Sequence, residues 1–299
     1  MSYKLKFKLN FKKMVRDTIT SLFPNKTQGE ASRHARRAIR RKNFSFSQTV
    51  YIVTIVFLFL PLLVLILYSF NSSASMNWTG FSLRWYQRLI SSRELWRAFT
   101  NSLIVAVSSA ATATVLGTIG AIGVNWYRFR LRSYVQTISF LPMILPEIII
   151  GVSLSIFFAG VGIPLGLFTI YVAHTTFNLP FVFLMVMARL DEFDFSIIEA
   201  AHDLGASEKQ TLFRVTIPIC MPGILSGLLT AITLSLEDFV ITFFVAGPGS
   251  STLPIFIYSA ITRRGGVTPV ISALSVVMIL GTVALCITLR KFLKYIAAK

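Results

Sequence analysis

Charge is scarce in this chain. Asp, Glu, Lys and Arg make up 14% of its 299 residues, against about 25% in an ordinary soluble domain. Acids are the scarcer sign, with twelve Asp and Glu against twenty-nine Lys and Arg. Cysteine is nearly absent: Cys220 and Cys286 both fall in or beside apolar segments, give no spaced framework for disulfides or zinc, and read as packing residues. Histidine is as sparse, and His174 and His202 have no second ligand at metal spacing, so both read as structural. There is no His-Glu-x-x-His pattern, which speaks against an intramembrane metalloenzyme. Gly-x-x-x-x-Gly-Lys-Ser/Thr is missing too, so the chain offers no loop to cradle ATP phosphates.

Apolar residues fill the gap. They amount to 54% of the chain and cluster into blocks of roughly twenty or more, long enough as helices to cross about 30 Å of hydrocarbon. Six spans are expected, at about 49–70, 101–125, 134–159, 163–187, 217–245 and 270–290. Lipid offers no hydrogen-bond partners, so segments of this length must be helices, and the expected fold is an all-α polytopic membrane protein. The first block follows a long basic arm and is long enough to span, which argues against a cleaved signal peptide. The net charge of +17 has a topological explanation rather than a nucleic-acid one. Residues 1–48 form the arm, and within 1–42 thirteen Lys or Arg face only Asp17 and Glu30. Cations of this kind stay on the cytoplasmic side, which places both termini, the loop after Tyr127 and segment 188–216 in the cytoplasm. The arm's cluster from Arg33 to Lys42 also suits anionic lipid headgroups. The remainder, 49–299, is the expected transmembrane domain.

Inside the spans, several residues break the apolar pattern. Pro142 and Pro146 interrupt the third span and force a bend there. Gly223 and Gly227 have the spacing that lets two helices approach closely, and Gly117, Gly120 and Gly123 recur in span two. Three acids lie within the spans, Glu147, Glu237 and Asp238, and the spans contain no Lys or Arg to pair with them except Arg290 at the very end of the sixth. A carboxylate in the bilayer costs about 2.5 to 3.5 kcal/mol and so implies a partner or a purpose, here a path for a cation. Neighbours Phe239, Phe243 and Phe244 would add cation–π contacts of about 0.5 to 2 kcal/mol. Adjacent helical residues point about 100° apart, so Glu237 and Asp238 cannot both face one pore; Asp238 is favoured as the pore-facing member. The alternative reading makes these acids structural, bonded within the bundle. Trp78, Trp85, Tyr86 and Trp96 follow the first span and suit an interfacial aromatic belt.

The polar break at about 190–217 reads as helix, glycine turn, helix: Ser196–Leu204, then Gly205, then Ser207 as cap with Glu208 in the next first turn. Its run Glu199-Ala200-Ala201-His202-Asp203-Leu204-Gly205-Ala206, with Ile217-Pro218 twelve residues beyond the glycine, resembles the EAA motif of ABC importer permeases. Further stretches, Tyr68-Ser69-Phe70-Asn71, Trp85-Tyr86, Thr233 to Asp238 and Gly247-Pro248, are similar to the spermidine/putrescine permeases over roughly residues 50–290.

This resemblance implies a type I importer fold. Glu199, Ala200, Ala201, Asp203 and Gly205 would then dock on a cytoplasmic ATPase dimer that carries ATP and Mg, while Glu147, Glu237 and Asp238 would meet the substrate. It also implies a second permease subunit, an extracytoplasmic solute-binding protein, a bacterial inner-membrane location, and no cofactor on this chain. Two departures from the family pattern stand out: Glu237 where Asp is usual, and Val270 and Ser272 where an acid and an Asn are usual after Pro269. Import of another small cation or amine-bearing solute is the alternative within the class. An ion-coupled secondary transporter is the rival outside it, but it leaves the EAA run unexplained.

Overall fold

In the computed structural model the described residues are 26–299, except 75–76, 128, 193, 265–268 and 298–299; side chains are described from 46 onward, except also 264, 285–286 and 288–299. Residues 1–25 of the basic arm, the Arg33–Lys42 side chains and Cys286 therefore lie outside the description. The chain divides into two compact units, Met1–Leu67 and Tyr68–Lys299. The first consists, as far as it is described, of helix α1 (Lys26–Ser69), which carries the apolar stretch Phe46–Ser69 and tolerates Pro61. The arm is thus helical from Lys26 and continuous with the first span.

The second unit contains α2 (Arg84–Ser91), α3 (Arg93–Trp126), α4 (Arg132–Ser139), α5 (Leu141–Ile144), α6 (Glu147–Val161), α7 (Leu167–Asp191), α8 (Ser196–Asp203), α9 (Glu208–Glu237), α10 (Val240–Val245), α11 (Leu253–Arg264) and α12 (Pro269–Ala297). No strand occurs among the described residues, only an isolated bridge between Asn71 and Phe81. Among the described residues four helices are long and apolar enough to cross a membrane, and five if the bent pair Arg132–Ile144 and Glu147–Val161 counts as one span. The expected sixth span falls on α12, whose apolar stretch is described over Pro269–Ala284.

Two expected spans are not single helices. The third breaks at Leu145-Pro146 with a bend of 102° between its halves, sharper than a kink, because Pro146 supplies no donor and biases Leu145 to the extended conformation it adopts. The fifth ends at Glu237; Asp238 is extended, and a separate short helix follows. Span five also begins earlier than expected, since the helix that starts at Glu208 runs into it through a π-helical turn at Leu212–Thr216.

Helices α3, α7 and α9 form the central bundle. They approach closely because small residues face one another: a side chain at Gly223 would lie 2.9 Å from Met185 O and from Arg189 Cβ, and one at Gly227 would lie 3.2 Å from Val182 Cα. Gly117 on α3 meets Val182 at 2.9 Å in the same sense. The expected small-residue seam is therefore present on α9, whereas Gly123 of α3 has open space around it. Around this seam Ala110, Ala113, Ala121, Val182, Val186, Leu190, Cys220 and Ala231 are fully buried. A second core of Val105, Ile150, Phe158, Ile170, Ala173, Ile241 and Val245 joins α6 and α10 to it. Trp85 packs inside the protein: it is 3% exposed, its indole N–H donates to Asn71 O at 2.6 Å, and Arg84 and Arg88 stack over its ring at 4.3 and 5.1 Å. Two of the arginines that follow the first span are thereby accounted for as cation–π partners.

Candidate functional site

The two helix breaks meet. Gly151, one turn into α6, sits where a side chain would lie 2.9 Å from the Phe244 ring and 3.3 Å from Ile241 Cα of α10. That close approach sets Glu147, the first residue of α6, within charge–charge range of Asp238 and Glu237 at the break between α9 and α10. The three intramembrane carboxylates, ninety residues apart in sequence, thus belong to one region.

They are not equivalent. Glu147 and Glu237 are exposed on this chain, and neither has an ion-pair partner among the described residues. Asp238 is 8% exposed and its carboxylate is fully engaged. Oδ2 accepts from Thr242 Oγ1 at 2.6 Å and from the Thr242 amide at 2.8 Å, and Oδ1 accepts from the Ile241 amide at 3.3 Å. Its side chain therefore caps the start of α10 from the residue before the N-cap Phe239, satisfying amides that a helix start leaves free. Because the chain breaks at Asp238, this residue turns inward on this chain to bond the start of the next helix, and Glu237 is left exposed.

His174 completes the arrangement. It is 2% exposed, with Nε2 at 3.1 Å from Asp238 Oδ2 and 2.8 Å from Thr242 Oγ1, and Nδ1 at 2.6 Å from Ser235 Oγ. The acceptor carboxylate assigns the proton to Nε2, which leaves Nδ1 to accept from the Ser235 hydroxyl. Ser235 in turn lies 3.3 Å from Ser109 Oγ. Buried polar groups tie α3, α7, α9 and α10 together at the one point where the α9 backbone is interrupted. Sequence reasoning read His174 as bland; its signal was the coincidence of Ser109, His174, Ser235 and Thr242 in otherwise apolar spans.

The electrostatics differ at the two outward carboxylates. Glu147 lies in the first turn of α6, where the helix dipole favours negative charge. Glu237 is the last residue of α9, where the dipole disfavours it. Carboxylate and terminal carbonyls there add to one another, an arrangement that a cation relieves. Beside it Phe239 packs with Tyr258 at 4.8 Å and with Phe243 at 5.6 Å between ring centroids, and Phe243 meets Phe244 edge-on at 5.5 Å.

The second group of expected residues lies apart, on the polar turn between α7 and α9. Helix α8 ends at Asp203, Gly205 takes φ +84°, and Ser207 accepts from the Gln210 amide while Gln210 Oε1 accepts from the Ser207 amide, a reciprocal cap. Asp194 Oδ1 accepts from the Ser196 amide at 3.0 Å and so caps α8; that bond, with the Ser196 hydroxyl, holds its carboxyl below the usual range. Glu199, Ala200, Asp203 and Gly205 are exposed and Ala201 is half-buried. Leu204, 89% exposed, projects at the turn.

Residues 113–299 match the family described as binding-protein-dependent transport system inner membrane component. The chain belongs to this family. Among family relatives, the spermidine/putrescine transport system permease protein PotC of Escherichia coli (strain K12) is 40% identical over 212 residues, covering 71% of this chain and 80% of PotC. The putrescine transport system permease protein PotI of the same strain is 41% identical over 244 residues, 79% of this chain and 86% of PotI. The fold is that of importer permeases: a chain from a bacterial ABC transporter that imports the acidic polysaccharide alginate superposes with TM-score 0.69 at 16% identity, over 85% of this chain and 97% of that one. A chain of the MetNI methionine ABC transporter in an inward-facing conformation superposes with TM-score 0.55 at 21% identity, over 68% and 96%. As a member of this family, the chain is an inner-membrane permease subunit of an ABC importer.

Proposed function

We propose that this chain is one of two permease subunits of an ABC importer of polyamines, and that Glu147 and Glu237 meet the cargo while Asp238 holds the site in shape. The observation that carries the reading is the pair of outward carboxylates at two adjoining helix breaks, unpaired by any cationic side chain among the described residues. Such charges are retained in a membrane for a partner, and a polyamine supplies ammonium groups spaced along an apolar chain. The aromatic cluster of Phe239, Phe243 and Tyr258 suits its methylene segments and adds cation–π attraction. The 40–41% identity to permeases named for spermidine and putrescine supports the same cargo.

In this reading an extracytoplasmic binding protein delivers the polyamine to a cavity between this chain and a second permease. A cytoplasmic ATPase dimer, which carries ATP and Mg, grips Glu199, Ala200, Ala201, Asp203 and Gly205. Its closure moves α8, and because α9 continues from the coupling turn to Glu237 without interruption, the motion reaches the cargo site along one helix. Both termini are cytoplasmic, the arm rests on anionic lipid, and the protein resides in a bacterial inner membrane. The test is uptake of labelled spermidine by proteoliposomes of the assembled importer. Glu237→Gln and Glu147→Gln should each raise the concentration for half-maximal uptake about tenfold, the loss of one charge-assisted contact. Unchanged polyamine dependence in both variants removes the cargo assignment.

A further inference from the structure

The polar segment 192–216, which carries the exposed turn, hangs from two legs, the end of α7 and the apolar part of α9. One side chain crosses between them. Arg189 is the only Lys or Arg in α7. Its Nε donates to Ile219 O of α9 at 3.3 Å, and its Nη1 donates to Glu192 Oε2 at 2.9 Å. Its stem lies across Gly223, where a Cβ would come within 2.9 Å of Arg189 Cβ and 3.4 Å of its Cγ. Only the missing side chain at 223 admits it.

The two acceptors differ in weight. The Glu192 side chain is 70% exposed, and an ion pair so open to water contributes little. The carbonyl of Ile219 stands in other surroundings. Pro222 follows it within α9, supplies no N–H, and crowds the carbonyls of the preceding turn with its ring. Backbone acceptors are thereby opened at this level, and a hydrogen bond from a guanidinium to one of them is charge-assisted.

A second, independent feature gives this contact a task. Just before it, α9 makes the π-helical turn Leu212–Thr216, across which Thr216 Oγ1 donates back to Thr211 O at 3.4 Å. Helices bend at such turns. α7 remains α-helical as far as Asp191 and ends shortly before α8 begins. The segment thus has one leg that can bend and one without such a turn, and Arg189 grips α9 on the bundle side of the bend.

We propose that Arg189 is a positioning residue for transport: it pins α9 beyond the π-helical turn to α7, so that displacement of α8 moves both helices as one body. Without the pin, the displacement is lost as bending at Leu212–Thr216. The proposal rests on the preceding reading only for the docking of an ATPase at α8, and not on which solute is carried.

Two measurements on the assembled importer test it. In proteoliposomes, labelled spermidine imported per ATP hydrolysed is compared among wild type, Arg189→Met, which keeps the stem over Gly223 and loses every donor, and Arg189→Lys, which keeps a charged donor. Arg189→Met should lower this ratio about tenfold, the weight of one charge-assisted hydrogen bond, with ATP turnover per folded complex within about twofold of wild type. Arg189→Lys should recover part of the ratio. In nanodiscs, spin labels at Ala188→Cys on α7 and Met221→Cys on α9, both exposed positions, report the separation of the legs once Cys220 and Cys286 are changed to Ala. With Arg189 present the separation should be the same without nucleotide and with ATP trapped; in Arg189→Met it should change with nucleotide. A ratio in Arg189→Met equal to that of wild type, with only the yield of complex reduced, overturns the proposal, because a purely stabilising side chain behaves so. A separation that changes with nucleotide while Arg189 is present overturns it too. If wild type imports no spermidine, the cargo reading falls, and the separation, which needs only ATP, decides the pin alone.

Discussion

Removing the imidazole of His174 would leave Asp238 Oδ2 without its 3.1 Å contact and Ser235 Oγ without its 2.6 Å one, inside a region that water does not reach. An unsatisfied buried polar group costs about 1 to 3 kcal/mol, so His174→Ala should destabilise the assembled importer by roughly 2 kcal/mol, measurable as a lowered unfolding midpoint in detergent. His174→Gln, which keeps a donor and an acceptor, should recover part of this. A loss of stability equal in the two variants would mean that the ring fills space rather than bonds. At Gly205 the argument is of another kind. A Cβ there would meet nothing within 4 Å, so Gly205→Ala costs only the positive φ of +84°, about 1 to 2 kcal/mol. The variant should fold and insert yet show reduced ATP turnover at the coupling turn, whereas wild-type turnover would show that the turn tolerates other backbone geometry.

At the scale of elements, much was legible before any coordinates. The α8 helix, the Gly205 turn and the Ser207 cap follow from local residue chemistry, and they stand within a residue of where the pattern put them. The Gly223–Gly227 seam was legible for the same reason, since spacing on one helix face determines what can approach it. The breaks were less so. Pro146 announced a bend but not that it would be 102°, because the angle depends on what the two halves pack against. Nothing local marked the interruption at Asp238: its carboxylate takes the Ile241 and Thr242 amides and is met by His174 from α7, distant in sequence. Hence Glu237 and Asp238 stand out as a pair in the sequence, while which of the two is buried follows only from the fold.

Helix α8 also carries a pH prediction. The carboxyl of Asp194 is held below its usual range chiefly by the Ser196 amide, so its contribution is complete above the ordinary carboxylate range and is lost only as pH falls through the lowered value. Amide exchange at residues 196–199 should therefore keep the same protection between pH 8 and 5 and lose it in stronger acid. Loss of protection already near pH 6 would point to a different group.

For the whole molecule, α9 runs as one helix from the turn after Gly205 to Glu237 through the π-helical turn at Leu212–Thr216, and α3 and α7 pack against it along small residues that allow little independent movement. On the proposed function, movement at the turn would reach the carboxylates at the far end of α9, provided the seam stays close. Gly227→Leu would drive a side chain into Val182 and should uncouple the ends or prevent assembly, with an overpacking cost of about 1 to 3 kcal/mol. The most direct test of the account is ATP turnover by the co-purified complex in lipid, with the binding protein empty, loaded with spermidine or putrescine, or exposed to unrelated solutes. The account predicts turnover that rises with either polyamine and stays basal with the others. Turnover that answers only to another solute, or transport that persists without any co-purifying ATPase, would contradict it.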